Sequence, residues 1–455
     1  MKLKKKPDLL TGPLWNKILL FALPLAASGI LQQLFNAADI AIVGRFTGDL
    51  GERCMGAVGS NGPVVSLVVN VFTGLSLGAN VVISRAVGME DKNTISRAVH
   101  SSIILAIISG FIVMLIGEAF AKPLLTALKV PSDVLPLAVL YLRVYLLGLP
   151  AILLYNFEAA IFRSVGDTKT PLIVLAVCGV INVLLNLFFV IVLKITVAGV
   201  AIATAVSNLI GAGILLVLLM RSNLEIRVSL NKLKMDKGVL IKVLKLGVPA
   251  GLQSGVFCVA NMVVQSAINE LGTIVLAASS AAYNIECISH YSLISYGQAC
   301  TTFVGQNSGA GKIDRCKRTR TMCIIEGVTS LGVFASIFLP FGKNLLSLFN
   351  TNPEVINIGY IRILYIVGYA YVFYLLYDVI GSYLRGYGYS LIPAVISMVG
   401  VCGVRIAWIY TAFPKNPSFE TVMTVYPISL FTTAVLMTTA LIIIRPAKRI
   451  LKRGK

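Results

Sequence analysis

Asp39 is where this chain could do chemistry. It lies toward the end of a hydrophobic run that begins at Pro24, PLAASGILQQLFNAADIAIVG. An ionised carboxylate inside such a run costs roughly 2.5–3.5 kcal/mol on membrane-insertion scales. The nearest cation in sequence, Arg45, stands at the outer end of the run. On a helix, Gln32, Asn36 and Asp39 share a face at i, i+4 and i+7, and a polar stripe of that kind looks onto water or onto another helix. Two roles are open to it. Either the stripe ties helices together and Asp39 reaches the outer surface, or Asp39 binds an ion or a proton on a transport path.

Other residues invite the same question. Glu286 and His290 lie four apart in AAYNIECISHYS; they would pass protons and hold a cationic ligand, or tie two helices together. Tyr371, Tyr374 and Asp378 fall at i, i+3 and i+7, and aromatic faces beside a carboxylate suit an organic cation as well as they suit helix packing. Asn261 and Gln265, four apart on the span at 242–268, complete with Gln32 the candidate substrate contacts. Glu158, Glu326 and Asp314 sit near span ends beside arginines, where structural ion pairs are expected. The sequence holds no nucleophile–base constellation, no metal-ligand spacing and no complete phosphate-cradling loop, since GAGK at 309–312 lacks the rest of a P-loop. The only histidines, His100 and His290, fall in different halves. No enzyme activity, no cofactor and no drive by ATP are expected.

The elements that position these residues are membrane spans. Of 455 residues 57% are hydrophobic and 13% charged, with a mean hydropathy of +0.87, whereas soluble chains carry about a quarter charged residues. Apolar runs of about 20 residues, the length that crosses a bilayer, recur from end to end, so the fold class is an all-α polytopic membrane protein. Twelve spans are predicted: 14–42, 55–83, 97–119, 134–160, 170–193, 198–220, 242–268, 275–304, 320–341, 355–382, 391–412 and 422–444. They form two six-helix bundles, 1–220 and 242–455, joined by a polar linker at 221–241.

The formal charge of +20 is placed in short loops between spans rather than on a nucleic-acid-binding surface. Lys2, Lys4, Lys5, Lys6, Arg85, Arg97, Arg163, the linker, Lys312 to Arg320 and the basic C-terminus crowd one side. Arg45, Lys122, Lys129, Lys194 and Lys415 are mixed with Asp49, Glu52, Asp133 and Glu420 on the other. The positive-inside rule then puts both termini in the cytoplasm, in a multi-pass protein of the cell membrane. The eight cysteines show no CxxC spacing and read as small apolar filler. The start, KLKKKPDLL, is not a cleavable signal, because the apolar run continues and its pattern reappears in the second half.

That reappearance is an internal repeat. LPLAASGILQQLFNAAD lies on VPAGLQSGVFCVANMVV, pairing Pro24 with Pro249 and Asn36 with Asn261. SRAVGMEDKNTISRAV lies on GQNSGAGKIDRCKRTR, pairing Gly88 with Gly309 and Arg97 with Arg318. FRSVGDTKTP lies on LRGYGYSLIP, pairing Arg163 with Arg385, Gly166 with Gly388 and Pro171 with Pro393. Six spans return the chain to its starting side, so the halves are expected to share one orientation about a pseudo-two-fold axis along the membrane normal, with the substrate path between them.

The Pro24…Asn36–Ala–Ala–Asp39…Gly44 opening, the paired Arg-x-x-Gly turns with a following proline, GVINVLLNLFFV at 179–190 and AGVAIATAVSN at 198–208 together resemble the multidrug and toxic compound extrusion (MATE) family over essentially the whole length. The resemblance implies two six-helix bundles around a V-shaped cavity and export of organic, cationic and amphipathic compounds in exchange for H+ or Na+. It implicates Asp39 and Asn36 on the first span, Asn182 and Asn186 on the fifth and Thr204 on the sixth in ion or proton coupling. Asn182 and Asn186 share a helical face, as do Thr204, Ser207 and Asn208. Many relatives carry Asp where this chain has Asn186, which weakens the Na+ case; a carboxylate that one branch carries on the seventh span would fall near Phe257 here. The chain therefore resembles the branch relying on the first-helix Asp. The partners implied are a small-molecule substrate and the lipid bilayer, with no nucleic acid and a monomeric state. A flippase for a lipid-linked precursor, of the same wider superfamily, is the alternative; it would need a more cationic cavity, for which Arg143, Arg362 and Arg405 are the candidates.

Overall fold

The computed structural model describes residues 8–128 and 130–447, apart from the Asp49 side chain. The basic residues Lys2, Lys4, Lys5, Lys6 and Lys129 and the stretch after residue 447 lie outside the described residues. The described helices are α1 (Leu14–Phe46), α2 (Gly51–Gly88), α3 (Lys92–Ala127), α4 (Leu135–Leu147), α5 (Leu149–Ser164), α6 (Lys169–Val192), α7 (Val197–Met220), α8 (Lys237–Glu270), α9 (Thr273–Gly309), α10 (Ile313–Ser347), α11 (Pro353–Gly386), α12 (Leu391–Lys415) and α13 (Phe419–Ile444). Ten of these helices are long and apolar enough to cross a membrane, and α4 with α5, bent by 49° at Gly148, makes an eleventh span. The remaining helix, α9, is 37 residues long and is diluted by Ser279, Ser280, Asn284, Glu286 and His290. A polytopic all-α membrane protein is the result, as the apolar runs require: in hydrocarbon every backbone N–H and C=O must be satisfied within its own segment.

Packing divides the chain into two compact units, and they do not follow the two halves of the sequence. The first comprises Ser28–Ile83 and Asp91–Leu244; the second comprises Asp8–Ala27, Ser84–Glu90 and the chain from Lys245 onward. Helix α1 changes unit between Ala27 and Ser28, just after Pro24, the proline inside it. A proline removes one i→i−4 hydrogen bond and crowds the carbonyl four residues back, so this is where α1 is least stiffly bonded. Ile18, Phe21 and Ala22 belong to the core of the second unit, where Phe21 meets the edge of Phe303 at 5.6 Å. Ile42 and Val43 belong to the core of the first, with Tyr141, Tyr145, Val197 and Val200.

The repeat is visible in backbone geometry. Gly166 and Gly388, paired in the sequence, have φ +95° and +88°, and Glu90 and Gly311, in register with Gly88 and Gly309, have φ +57° and +72°. Gly88 and Gly309 themselves allow a close crossing within the second unit. A Cβ on Gly88 would lie 1.9 Å from the Gln306 carbonyl oxygen, and one on Gly309 would lie 2.2 Å from that of Arg85. Each glycine thus makes room for the other segment's backbone, and these turns are more than loops.

The linker is not a free connection. Ser222, Ile226 and Val228 are buried, and α8 begins at Lys237, five residues before the expected start. Within the first unit, His100 on α3 accepts the Ser229 N–H at Nε2 (3.0 Å), so its Nδ1 carries the proton donated to the Ser96 carbonyl (2.7 Å). Ser101 Oγ accepts the Asp236 N–H at 3.0 Å. The Val239 N–H bonded to Asp236 and the Arg97 guanidinium beside it hold that carboxyl below the usual range.

Among the described residues three helices contain π turns: Phe188–Val192 closes α6, Leu364–Ala370 interrupts α11, and Met398–Gly403 interrupts α12. A π turn carries more residues than an α turn and rotates the helix beyond it. Faces read from an unbroken 3.6-residue period therefore do not carry across these points in α11 and α12.

Left-handed backbone at Gly388 gives a direct test. Gly388→Val, which adds a β-branched side chain at φ +88°, is expected to destabilise the protein by about 1–2 kcal/mol. The measurement is the thermal-unfolding midpoint in detergent, with Gly403→Ala, in a helical glycine whose neighbour is no closer than 3.8 Å, as the control that changes little.

Candidate functional site

The first cluster lies wholly within the first unit. Asp39 is buried, at 7% exposure, by the packing of α1 against α6 and α7. Asn186 Nδ2 donates to its Oδ1 at 2.6 Å and Thr204 Oγ stands 3.5 Å from its Oδ2. Asn182 joins through Thr204 Oγ (3.3 Å) and accepts from Asn186 Nδ2 (3.2 Å). Thr204 is aimed by its own hydrogen bond to the Val200 carbonyl at 3.0 Å, and its carbonyl in turn accepts from Ser207 and Asn208. The four residues that the sequence grouped across three separate spans are therefore one hydrogen-bonded set.

No cation pairs with Asp39 among the described residues; its partners are neutral. Asn186 Oδ1 is buried with no hydrogen-bond partner, beside a carboxylate. An unsatisfied buried oxygen next to an unneutralised acid is the arrangement that a proton or a hard cation would complete. One expectation is corrected here, and one pair of residues is new. Gln32 and Asn36 are exposed rather than gathered with Asp39: three residues along a helix leave Asn36 about 60° away around the axis. Tyr141 and Tyr145 on α4, stacked at 6.2 Å and in one core with Ile42 and Val43 of α1, were missed; YLRVY gives only an ordinary aromatic i, i+4 pair.

The second cluster is in the second unit, and there the sequence chose the wrong partners. Glu286 does not pair with His290. It makes a fork-to-fork bond with Arg362 on α11, with Nη2 to Oε1 at 2.6 Å and Nε to Oε2 at 3.1 Å, while Arg362 Nη1 reaches Ser279 at 2.7 Å. Glu286 and Arg362 are 4% and 5% exposed. His290 instead lies against Tyr371 (5.9 Å) and Tyr374 (5.0 Å), with its Nδ1 buried and unpartnered. Both tyrosines are buried, so they offer less open aromatic face than expected. Asp378 closes on α9, where a Cβ at Gly297 would lie 2.0 Å from its Oδ2. Asn261 accepts from Arg405 Nη1 at 2.7 Å, and the exposed Gln265 bonds Asn269 at 2.9 Å.

The arginines, read in the sequence only as candidates for a flippase's cationic cavity, have partners that the sequence did not give. Arg405 on α12 is 2% exposed, stacked over Tyr426 at 4.5 Å and Phe257 at 5.2 Å, with Ser429 at 3.3 Å from its Nε. Its signal was available: a lone arginine inside an apolar run demands a partner as surely as a lone aspartate does. Glu158 and Glu326 are also corrected, since the carboxylate oxygens of both are buried without a partner rather than ion-paired. Arg163 is about 140° around the helix from Glu158, and Arg320 about 120° from Glu326, at 100° per residue. Asp314 does pair, with Lys317 at 2.8 Å.

Comparison with known proteins adds four findings. The sequence matches the MatE family twice, over residues 24–188 and 249–411, one match in each repeat. It is 28% identical over 410 residues, 89% of this chain and 87% of the relative, to the probable multidrug resistance protein YoeA of Bacillus subtilis. It is 24% identical to the FAD transporter of Shewanella oneidensis, over 78% of each chain. A solved MATE structure in complex with MaL6 superposes with a TM-score of 0.89 at 19% identity, covering 98% of this chain and 100% of that one.

The Glu286–Arg362 pair carries a stability prediction. Arg362→Ala leaves a buried carboxylate alone and is expected to cost about 3–5 kcal/mol, whereas Glu286→Leu with Arg362→Met recovers most of that. Thermal unfolding of the three proteins in one detergent checks it; a double variant as unstable as the single one would show that the pair is not the unit of stability.

Proposed function

This chain belongs to the MatE family, and from that premise we propose that it is a secondary active exporter in which Asp39 couples an ion gradient to the outward movement of amphipathic organic compounds. The observation that carries this is the Asp39 site: a buried carboxylate with neutral partners only, next to an unpartnered amide oxygen. A carboxylate beside the oxygens of Asn182, Asn186 and Thr204 offers a hard-cation shell for Na+. The same carboxylate serves H+, because a protonated Asp39 becomes a donor and the Asn186 amide, turned over, meets it with Oδ1. The single negative charge of the site favours H+ over Na+.

Coupling then needs no further chemistry. An occupied Asp39 site and an empty one differ by one buried charge, so the ion binds the two arrangements of α1 with different affinity and shifts their populations. Pro24 sits where α1 passes from one packing unit to the other, which supports bending there as the response. Names of relatives as different as a multidrug resistance protein and an FAD transporter support a broad range of organic cargo. The protein acts in this reading as a monomer in the cell membrane with both termini cytoplasmic, as the loop charges suggest.

Reconstituted vesicles with separately imposed H+ and Na+ gradients are the test. Wild type is expected to move an amphipathic dye against its gradient under one of them, and Asp39→Asn to lose at least about tenfold of that rate, equivalent to about 1.4 kcal/mol. Gradient-driven transport that survives Asp39→Asn removes the mechanism; transport without any gradient removes the exporter reading altogether.

A further inference from the structure

Two guanidiniums buried in the second unit gather around one carboxylate. Arg362 and Arg405 both stack on the ring of Tyr426, at 6.0 and 4.5 Å. Among the described residues the one carboxylate bonded to either is Glu286, which Arg362 occupies with both fork nitrogens. Two guanidiniums against one carboxylate leave one positive charge. Farther along, Arg385 adds one positive charge and Asp378 and Glu326 one negative charge each, but among the described residues no carboxylate is bonded to Arg405. The excess sits on Arg405, whose hydrogen-bond partners are the neutral Asn261 and Ser429. Withdrawing an uncompensated guanidinium from water is costly, and two ring faces and two neutral acceptors return only part of that cost.

We propose that Arg405 is the anchor of an anion-binding site for the transported compound, taking the carboxylate or phosphate-ester group of an amphipathic organic anion. The guanidinium presents a planar fork that matches two oxygens of either group. Asn261 stands where such an oxygen would lie, as a neutral acceptor on Nη1 that can turn its amide to donate to the incoming group. His290, whose buried Nδ1 lacks any partner, supplies a further donor or acceptor beside Tyr371 and Tyr374. Phe257 and Tyr426, both half-buried against Arg405, provide faces for an aromatic or apolar body. The organic cation expected from the sequence has less to hold it here, because Glu286 is already occupied.

This inference rests on the exporter reading, and the experiment separates the two. Purified full-length protein in detergent is titrated with four pyrene probes that share one body: the butyrate, the butyl phosphate, the butanol and the butyl-trimethylammonium. Wild type is expected to bind one or both anions at least about tenfold tighter than the alcohol and the ammonium, about 1.4 kcal/mol; which anion leads tells carboxylate from phosphate. Arg405→Gln is expected to bring the anions down to the affinity of the alcohol, and Arg405→Lys to fall between. Should Arg405→Gln not fold, Asn261→Asp keeps an oxygen on Nη1 while neutralising the site internally, and is expected to remove the preference with the thermal midpoint maintained. An ammonium bound as tightly as the anions in wild type, or an anion preference that persists in Asn261→Asp, overturns the proposal. Binding is read without any gradient, so loss of gradient-driven transport with the anion preference intact counts against the exporter reading and not against the site.

Discussion

The constraint on which the rest depends is that no buried charge inside these helices can use water. A charge there is costly unless helix packing brings it a partner, because the apolar side chains around it supply nothing polar. The protein meets this demand in three ways. Glu286 and Arg362 neutralise one another, Asp39 is held by neutral amide and hydroxyl donors, and Arg405 is held by neutral oxygens and ring faces. A closed pair stabilises a fixed arrangement. Charges held by neutral groups remain receptive, one to a cation and the other to an anion.

The helices are shaped to deliver those partners. The Asp39 site needs the face of α6 that carries Asn182 and Asn186 and the turn of α7 that carries Thr204, and it lies within the unit to which only the second part of α1 belongs. Arg362 precedes the π turn of α11, the tyrosines come after it, and Arg405 comes after the π turn of α12. These interruptions set which way each side chain points. They are the reason that the aromatic and basic residues of the second unit meet partners that a regular helix would not predict.

The repeat is expressed in structure but not in chemistry. The paired glycines share their left-handed turns, and Gly88 and Gly309 give way reciprocally where two helix ends cross. Function has been laid on this frame asymmetrically. Asn36 and Asn261 are partners in the repeat, yet one is exposed on α1 and the other is bonded to a buried arginine. The two units thus hold different charged side chains against neutral partners, Asp39 in the first and Arg405 in the second.

The sequence by itself settled the features that hydrophobicity and spacing can reach: the membrane class, the order of the helices, eleven of which are apolar enough to span once the bent pair is counted as one, the repeat, and Asp39 as an acid in need of partners. The last of these is legible because a carboxylate in an apolar run is costly wherever the helix sits. Partner choice was decided by tertiary structure. That Glu286 would meet Arg362 rather than His290, that Glu158 would meet no cation, and that Arg405 would be left with a charge to spare depend on which helix faces meet and on where π turns rotate them. Periodicity fixes angles within a helix. It carries no information about the neighbour across the contact, and the tertiary fold alone supplied that.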